Sequence, residues 1–152
     1  MNIVVGCIVK KENKLLMVKE NHGRCKGMWN FPIGHLEEKE TIIEGAKRET
    51  LEETGYLVDI HKMFPISEVY QNNKKYILIR FLATPKEKIN QNIIDVEEIK
   101  WMEQEEILSI PKQNFRGYES NLKALEQLNT KRLFSPTILE EIEYEGRNLY
   151  ER

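Results

Sequence analysis

Cysteine is scarce: Cys7 and Cys25 are the two in 152 residues. That excludes a disulfide-built scaffold and fits a reducing compartment. Net charge is nearly absent. Lys and Arg total 23 against 25 Asp and Glu, leaving −2. No global basic field is available to hold a nucleic-acid backbone, so no stable nucleic-acid partner is expected. Long apolar runs are missing as well. Ile3 to Val9 is seven residues long and Lys10-Lys11 follows it. A membrane span needs about 20 apolar residues, and an export signal carries its positive charge first. The expectation is a cytoplasmic protein without a membrane partner. Three scattered histidines (His22, His35, His61) and no Cys/His spacing argue against a zinc site. Repeats and low-complexity linkers are also lacking. One domain is therefore expected over residues 1–152, with a helical C-terminal part from about 103.

What is present is a folded-domain composition, 40% hydrophobic and 32% charged. Ile3 to Val9 reads as a central strand, apolar on both faces. A polar turn at Lys11 to Lys14 leads to a second strand, Leu15 to Val18. Asn21 to Gly27 is a polar loop, and Trp29 to Pro32 a short extended piece before a turn. Thr41 to Thr54 is the clearest helix. Thr41 and Glu44 form a capping box, and Gly55 stands where a left-handed cap is wanted. Tyr56 to Ile60, Met63 to Tyr70, Tyr76 to Thr84 and Ile99 to Met102 read as strands, with a turn at Asn72-Asn73. Helices follow over Glu103 to Ser109 and Tyr118 to Leu128, and Ser135-Pro136 reads as another helix start. The fold class is mixed α/β (α+β), a mixed sheet between helices.

The first helix carries an electrostatic conflict. Glu49, Glu52 and Glu53 are spaced i, i+3, i+4 and project to one face. Two of them lie in the last turn, where the helix dipole disfavours anions. A divalent cation resolves this, and hard carboxylate oxygens suit Mg²⁺ or Mn²⁺. A merely solvated acidic face is the competing reading, since Glu37-Glu38, Glu97-Glu98, Glu105-Glu106 and Glu140-Glu141 also occur.

The register of the whole stretch decides between them. Gly34, then Glu40, then Arg48-Glu49-Thr50-Leu51-Glu52-Glu53-Thr54-Gly55 resembles the signature of the Nudix hydrolase superfamily. Thr50 and Tyr56 stand where that box carries aliphatic residues, a change of packing rather than of chemistry. The resemblance spans about Ile3 to Leu108. The run Trp29 to Glu37, with Phe81 and Ile99-Lys100-Trp101, is most similar to the NudJ-like phosphatase branch, although Ile33 replaces the usual small residue there.

The resemblance implies the Nudix fold and hydrolysis of phosphoanhydride bonds, with Mg²⁺ or Mn²⁺ as cofactor. The substrate would be a small nucleotide or organic pyrophosphate. Glu49, Glu52 and Glu53 would hold metal, with the Gly34 carbonyl as a further ligand. Glu53 is the favoured general base. Glu40 and Arg48 would form a structural ion pair. A further acid from the loop before Trp101 is expected, Glu97 ahead of Glu98. Arg24 and Lys26, in the loop before the box, are candidate phosphate contacts, against a plain solubility role. Arg80, a charge in an apolar strand, is placed in the substrate cleft. Trp29, Phe31 and Tyr70 are candidates for stacking on a base, against the usual core role. ADP-ribose and dinucleoside polyphosphates are alternative substrates, and a non-catalytic nucleotide sensor is the alternative of another class. The sequence sets no oligomeric state.

Overall fold

The computed structural model describes residues 2–146, 148 and 150. Calls that reach residue 1, 147, 149, 151 or 152 lie outside the described residues. The centre of the fold is β1 (Asn2–Lys11), whose alternation sorts its side chains between two cores. Val5, Cys7 and Val9 face one core, and Ile8 faces the other. β1 turns into β2 (Lys14–Glu20) through Glu12 at φ 56°. β3 (Trp29–Asn30) pairs with β2, and β4 (Ile33–His35) pairs with β1.

β4 replaces the turn expected after Pro32. Gly6 makes it possible, because a Cβ there would sit 2.2 Å from the Pro32 carbonyl oxygen. The bulky Ile33 lies directly across from that glycine and is accommodated by it.

Helix α1 (Ile42–Thr54) has the expected capping box, with Thr41 and Glu44 each bonded to the other's backbone. Gly55 ends it at φ 77°. β5 (Tyr56–Met63) runs farther than the sequence indicates, and β6 spans Ser67–Gln71 instead of starting at Met63. Pro65 lies in the break, unable to donate to a ladder. Asn72 and Asn73, at φ 50° and 62°, close the hairpin to β7 (Lys74–Lys88). β7 lies parallel to β1 and antiparallel to β5 and β6. β8 (Val96–Glu103) pairs with β2, giving a mixed sheet of eight strands.

Two helical layers enclose the sheet. Ala46 of α1 joins the core around Val5, Cys7, Ile79 and Phe81. On the other face, Ile107 of α2 (Gln104–Leu108) and Ala124 and Leu125 of α3 (Tyr118–Asn129) pack with Ile8, Met17, Phe31 and Phe115. Thr50, an unusual polar residue in the box, is fully buried. Its hydroxyl donates to the Ala46 carbonyl at 2.8 Å and so costs little. Tyr56 meets Trp101 edge-to-face at 5.8 Å. The helix expected from Ser135 is only a 3₁₀ turn, Pro136–Ile138, with Ser135 Oγ accepting from the Thr137 N–H.

Candidate active site

The box folds around one arginine. Arg48 Nε and Nη2 donate to the two oxygens of Glu40, at 2.8 and 2.6 Å. Glu40 Oε1 also accepts the Glu37 N–H, and Arg48 Nη2 reaches the His35 carbonyl at 3.0 Å. The loop of residues 35–40 is thereby fastened to α1. The bidentate bond to Arg48 holds the Glu40 carboxyl below its ordinary range.

Arg48 Nη1 reaches the other way, to Glu49 at 2.8 Å and Glu52 at 3.1 Å. Glu49 lies against β4 with its carboxylate over the Cα of Gly34. A Cβ at Gly34 would sit 2.2 Å from the Glu49 Cδ. In this arrangement the Glu49 carboxylate takes up the space that a side chain at 34 would need.

Glu53 is different. It is half-buried, and burial pushes its carboxyl up to about 9. The negative charges of Glu20 and Glu49 push the same way, while the Ile33 backbone N–H and the Arg116 guanidinium oppose them. Glu49 is raised too, chiefly by burial. Among the described residues, no three acidic, histidine or cysteine side chains converge on one cation-sized point. Arg48 Nη1 holds Glu49 and Glu52 by hydrogen bonds.

Glu20 and Arg116 are the residues that sequence reasoning missed. Glu20 ends β2 and is buried, and it bonds Arg116 Nη1 at 2.9 Å. They are 96 positions apart, so no spacing could have flagged the pair. The one available signal was an acidic residue closing an apolar strand.

Of the other expected site residues, Arg80 is bound up elsewhere in the fold. Arg80 is a correction. It is 5% exposed, and its guanidinium donates to Asn121 Oδ1 and, at 2.8 Å, to the Ser120 carbonyl under α3. Its strand position puts it on the α3 face, away from α1. Glu97 stands at a β-bulge opposite Lys19/Glu20 and pairs with Lys19 at 3.8 Å. Glu98 lies directly across from Lys19, not from Glu20. Arg24 and Lys26 are exposed on the loop of residues 21–28. Trp29 sits below Lys19, whose Nζ is 5.7 Å from the ring centroid, and packs toward the α3 core. Phe31 is core, and Tyr70 is exposed on the β6–β7 hairpin beside Lys75.

Known proteins resemble this chain in sequence and in fold. The profile of the NUDIX domain family matches residues 2–126. Phosphatase NudJ of Escherichia coli (strain K12) is 34% identical over 110 residues, covering 70% of this chain and 71% of that protein. A Nudix hydrolase from Nitrosomonas europaea superposes with TM-score 0.83 at 23% identity, over 93% of this chain and 97% of its own. The Nudix domain of Shewanella oneidensis NrtR, solved with ADP-ribose, gives 0.64 at 17% identity, over 86% and 87%. At those two identities the likeness concerns fold. Among the described residues no helix is long and apolar enough to cross a membrane.

Proposed function

This chain belongs to the Nudix family and is a hydrolase of pyrophosphate linkages; from that premise we propose that it is a divalent-metal-dependent phosphatase or pyrophosphatase of small nucleotides and related organic pyrophosphates. The single observation that carries the proposal is Glu53. Its half-buried carboxyl is under the charge of two further anions, Glu20 and Glu49, and no ion pair reaches it among the described residues. Such a group is costly as a structural element and useful as a ligand.

The donor set fits Mg²⁺ or Mn²⁺. It would consist of hard oxygens from Glu49, Glu52 and Glu53 on one helix face, with the carbonyl of Gly34, the residue beside the Glu49 carboxylate, as a further ligand. Bound there, the metal supplies charge neutralisation on phosphate oxygens and acidifies a water. The protein's own residues do the rest. Glu40 keeps Arg48 through Nε and Nη2, so Glu49 and Glu52 can leave Nη1 without losing the arginine. Glu53 takes the proton of the attacking water. Gly34 leaves room for Glu49 to turn. The chain acts as one catalytic unit, with α2 and α3 as its variable flank.

The test is a product analysis with Mg²⁺ and then Mn²⁺. The panel holds nucleoside di- and triphosphates, ADP-ribose, diadenosine polyphosphates and thiamin pyrophosphate. Metal-dependent release of orthophosphate from nucleotides, reduced at least about 100-fold in Glu53→Gln, is expected. Cleavage confined to ADP-ribose or dinucleotides would overturn the nucleotide phosphatase reading and keep the hydrolase. Equal turnover by Glu53→Gln would overturn the role of Glu53.

A further inference from the structure

The box supplies anions, yet a pyrophosphate substrate is itself an anion, so some cation outside the box must meet the phosphate oxygens that the metal does not. Arg48 is committed to Glu40, and Arg80 is committed to α3. Arg24 and Lys26 stand on an exposed loop.

Arg116 has a different placement. It follows Phe115, which bridges Trp29 of β3, and its N–H donates to the Trp29 carbonyl at 2.9 Å. Its own carbonyl accepts from Asn121 Nδ2 at 2.8 Å. The Asn121 amide also donates to Asn30 Oδ1, at 2.9 Å, and Asn121 Oδ1 accepts from Arg80. Both sides of the Arg116 peptide are therefore clamped to the sheet through a buried polar chain. That chain is expensive. It takes an arginine into the interior where, among the described residues, its partners are amide and carbonyl oxygens and not carboxylates. An ordinary surface arginine needs no such support.

The clamp aims the guanidinium at the buried Glu20 carboxylate at the end of β2, and β3, which the Arg116 N–H holds, leads within two residues into β4, whose Ile33 N–H bonds Glu53. One bond from Nη1 to Glu20 leaves the other donors of a five-donor fork available, and 49% of the Arg116 side chain is exposed. A planar fork held beside the carboxylates, with free N–H groups facing water, matches two oxygens of a phosphate.

We propose that Arg116 binds the phosphate of the substrate farther from the helix carboxylates, and that Glu20 and the Arg80–Asn121 pair are positioning residues that hold it there. This rests on the hydrolase reading above, since it places the ligand at that site. It also assigns the C-terminal segment a part in binding, although the box lies wholly before it.

The test titrates methylene diphosphonate, a non-hydrolysable pyrophosphate mimic, into the full chain with Mg²⁺ present, by calorimetry. Wild type is compared with Arg116→Met, Arg116→Lys and Glu20→Gln, each checked for an unchanged circular dichroism spectrum. Mn²⁺ affinity is measured separately by electron paramagnetic resonance. Expected are at least a tenfold loss of diphosphonate affinity in Arg116→Met, partial rescue in Arg116→Lys, and a smaller loss in Glu20→Gln. Mn²⁺ affinity in Arg116→Met should stay within threefold. In turnover assays Arg116→Met should raise KM more than it lowers kcat.

Diphosphonate affinity and KM within twofold of wild type in a folded Arg116→Met would overturn the proposal, and so would the absence of diphosphonate binding in wild type. Loss of Mn²⁺ affinity equal to the loss of diphosphonate affinity would also overturn it, because the residue would then serve the metal site. Arg116-dependent binding without turnover of any substrate would sustain this proposal while sinking the hydrolytic reading.

Discussion

Glu53 shows how the setting of one side chain bears on stability. Its carboxyl is raised from 4.5 to about 9, first by burial and then by Glu20 and Glu49. Between those values the folded chain binds a proton that the unfolded chain has released. Its contribution to stability is fully present below about 4.5 and is lost as pH rises through about 9. With a chelator present, the melting temperature should therefore fall between pH 5 and 9, and Glu53→Gln should flatten that fall. At pH 8 the variant should be the more stable by about 1–3 kcal/mol, the usual scale for relieving an uncompensated buried polar group. Parallel slopes for the two proteins would refute this. Gly34 and Glu49 make a second point at this scale. The Glu49 carboxylate occupies the volume of a Cβ at 34, so a side chain there would have to move the carboxylate aside. Cys7 is the reverse case. Burial pushes its thiol up to about 12, which makes it an inert core residue rather than a nucleophile.

At the scale of elements, the two helical layers are attached in different ways. α1 is defined locally, by its capping box, its glycine cap and the Arg48 bonds to the preceding loop. α3 has no side-chain cap, because its N-cap is Gly117 at φ 65°. Its first turn is held by Arg80 instead, through Ser120 and Asn121. Arg80→Met should leave the Ser120 carbonyl and the Asn121 amide short of a donor and cost about 2–4 kcal/mol. Urea denaturation would read this as a lower midpoint at unchanged slope. A midpoint within error of wild type would show that the strut carries no load. The local or distant origin of each attachment also explains which parts were legible. The α1 boundaries, the Asn72-Asn73 turn and the β1–β2 hairpin follow from neighbouring residues. β4 was not legible, because it exists only where Gly6 yields space 27 positions away from Ile33. The Ser135-Pro136 start was misleading, since a good cap does not supply the apolar face that sustains a helix.

For the whole molecule, the β1–β7 parallel pair joins residues more than 70 positions apart and carries β2 and β5 on its flanks. The box is fastened to one face of this frame, and the Arg80–Asn121–Arg116 chain crosses from the other. A cation bound to the raised carboxylates must displace a proton, so binding and folding are linked. Millimolar Mg²⁺ or Mn²⁺ should raise the melting temperature by several degrees at pH 8.5 and by less at pH 6, and Glu53→Gln should abolish most of the difference. An equal rise at both pH values, measured by differential scanning calorimetry, would contradict the linkage. The sequence alone determined the helix, its carboxylate face, the glycines at 34 and 55 and the family, because each depends on residues within about one helical turn or one loop of each other. Only the tertiary structure decided that Arg80 is a strut, that Glu97 turns to Lys19, and that Glu20 pairs with Arg116. Those outcomes depend on strand register and sheet face, and a shift of one residue in register reverses which side of the sheet a side chain meets.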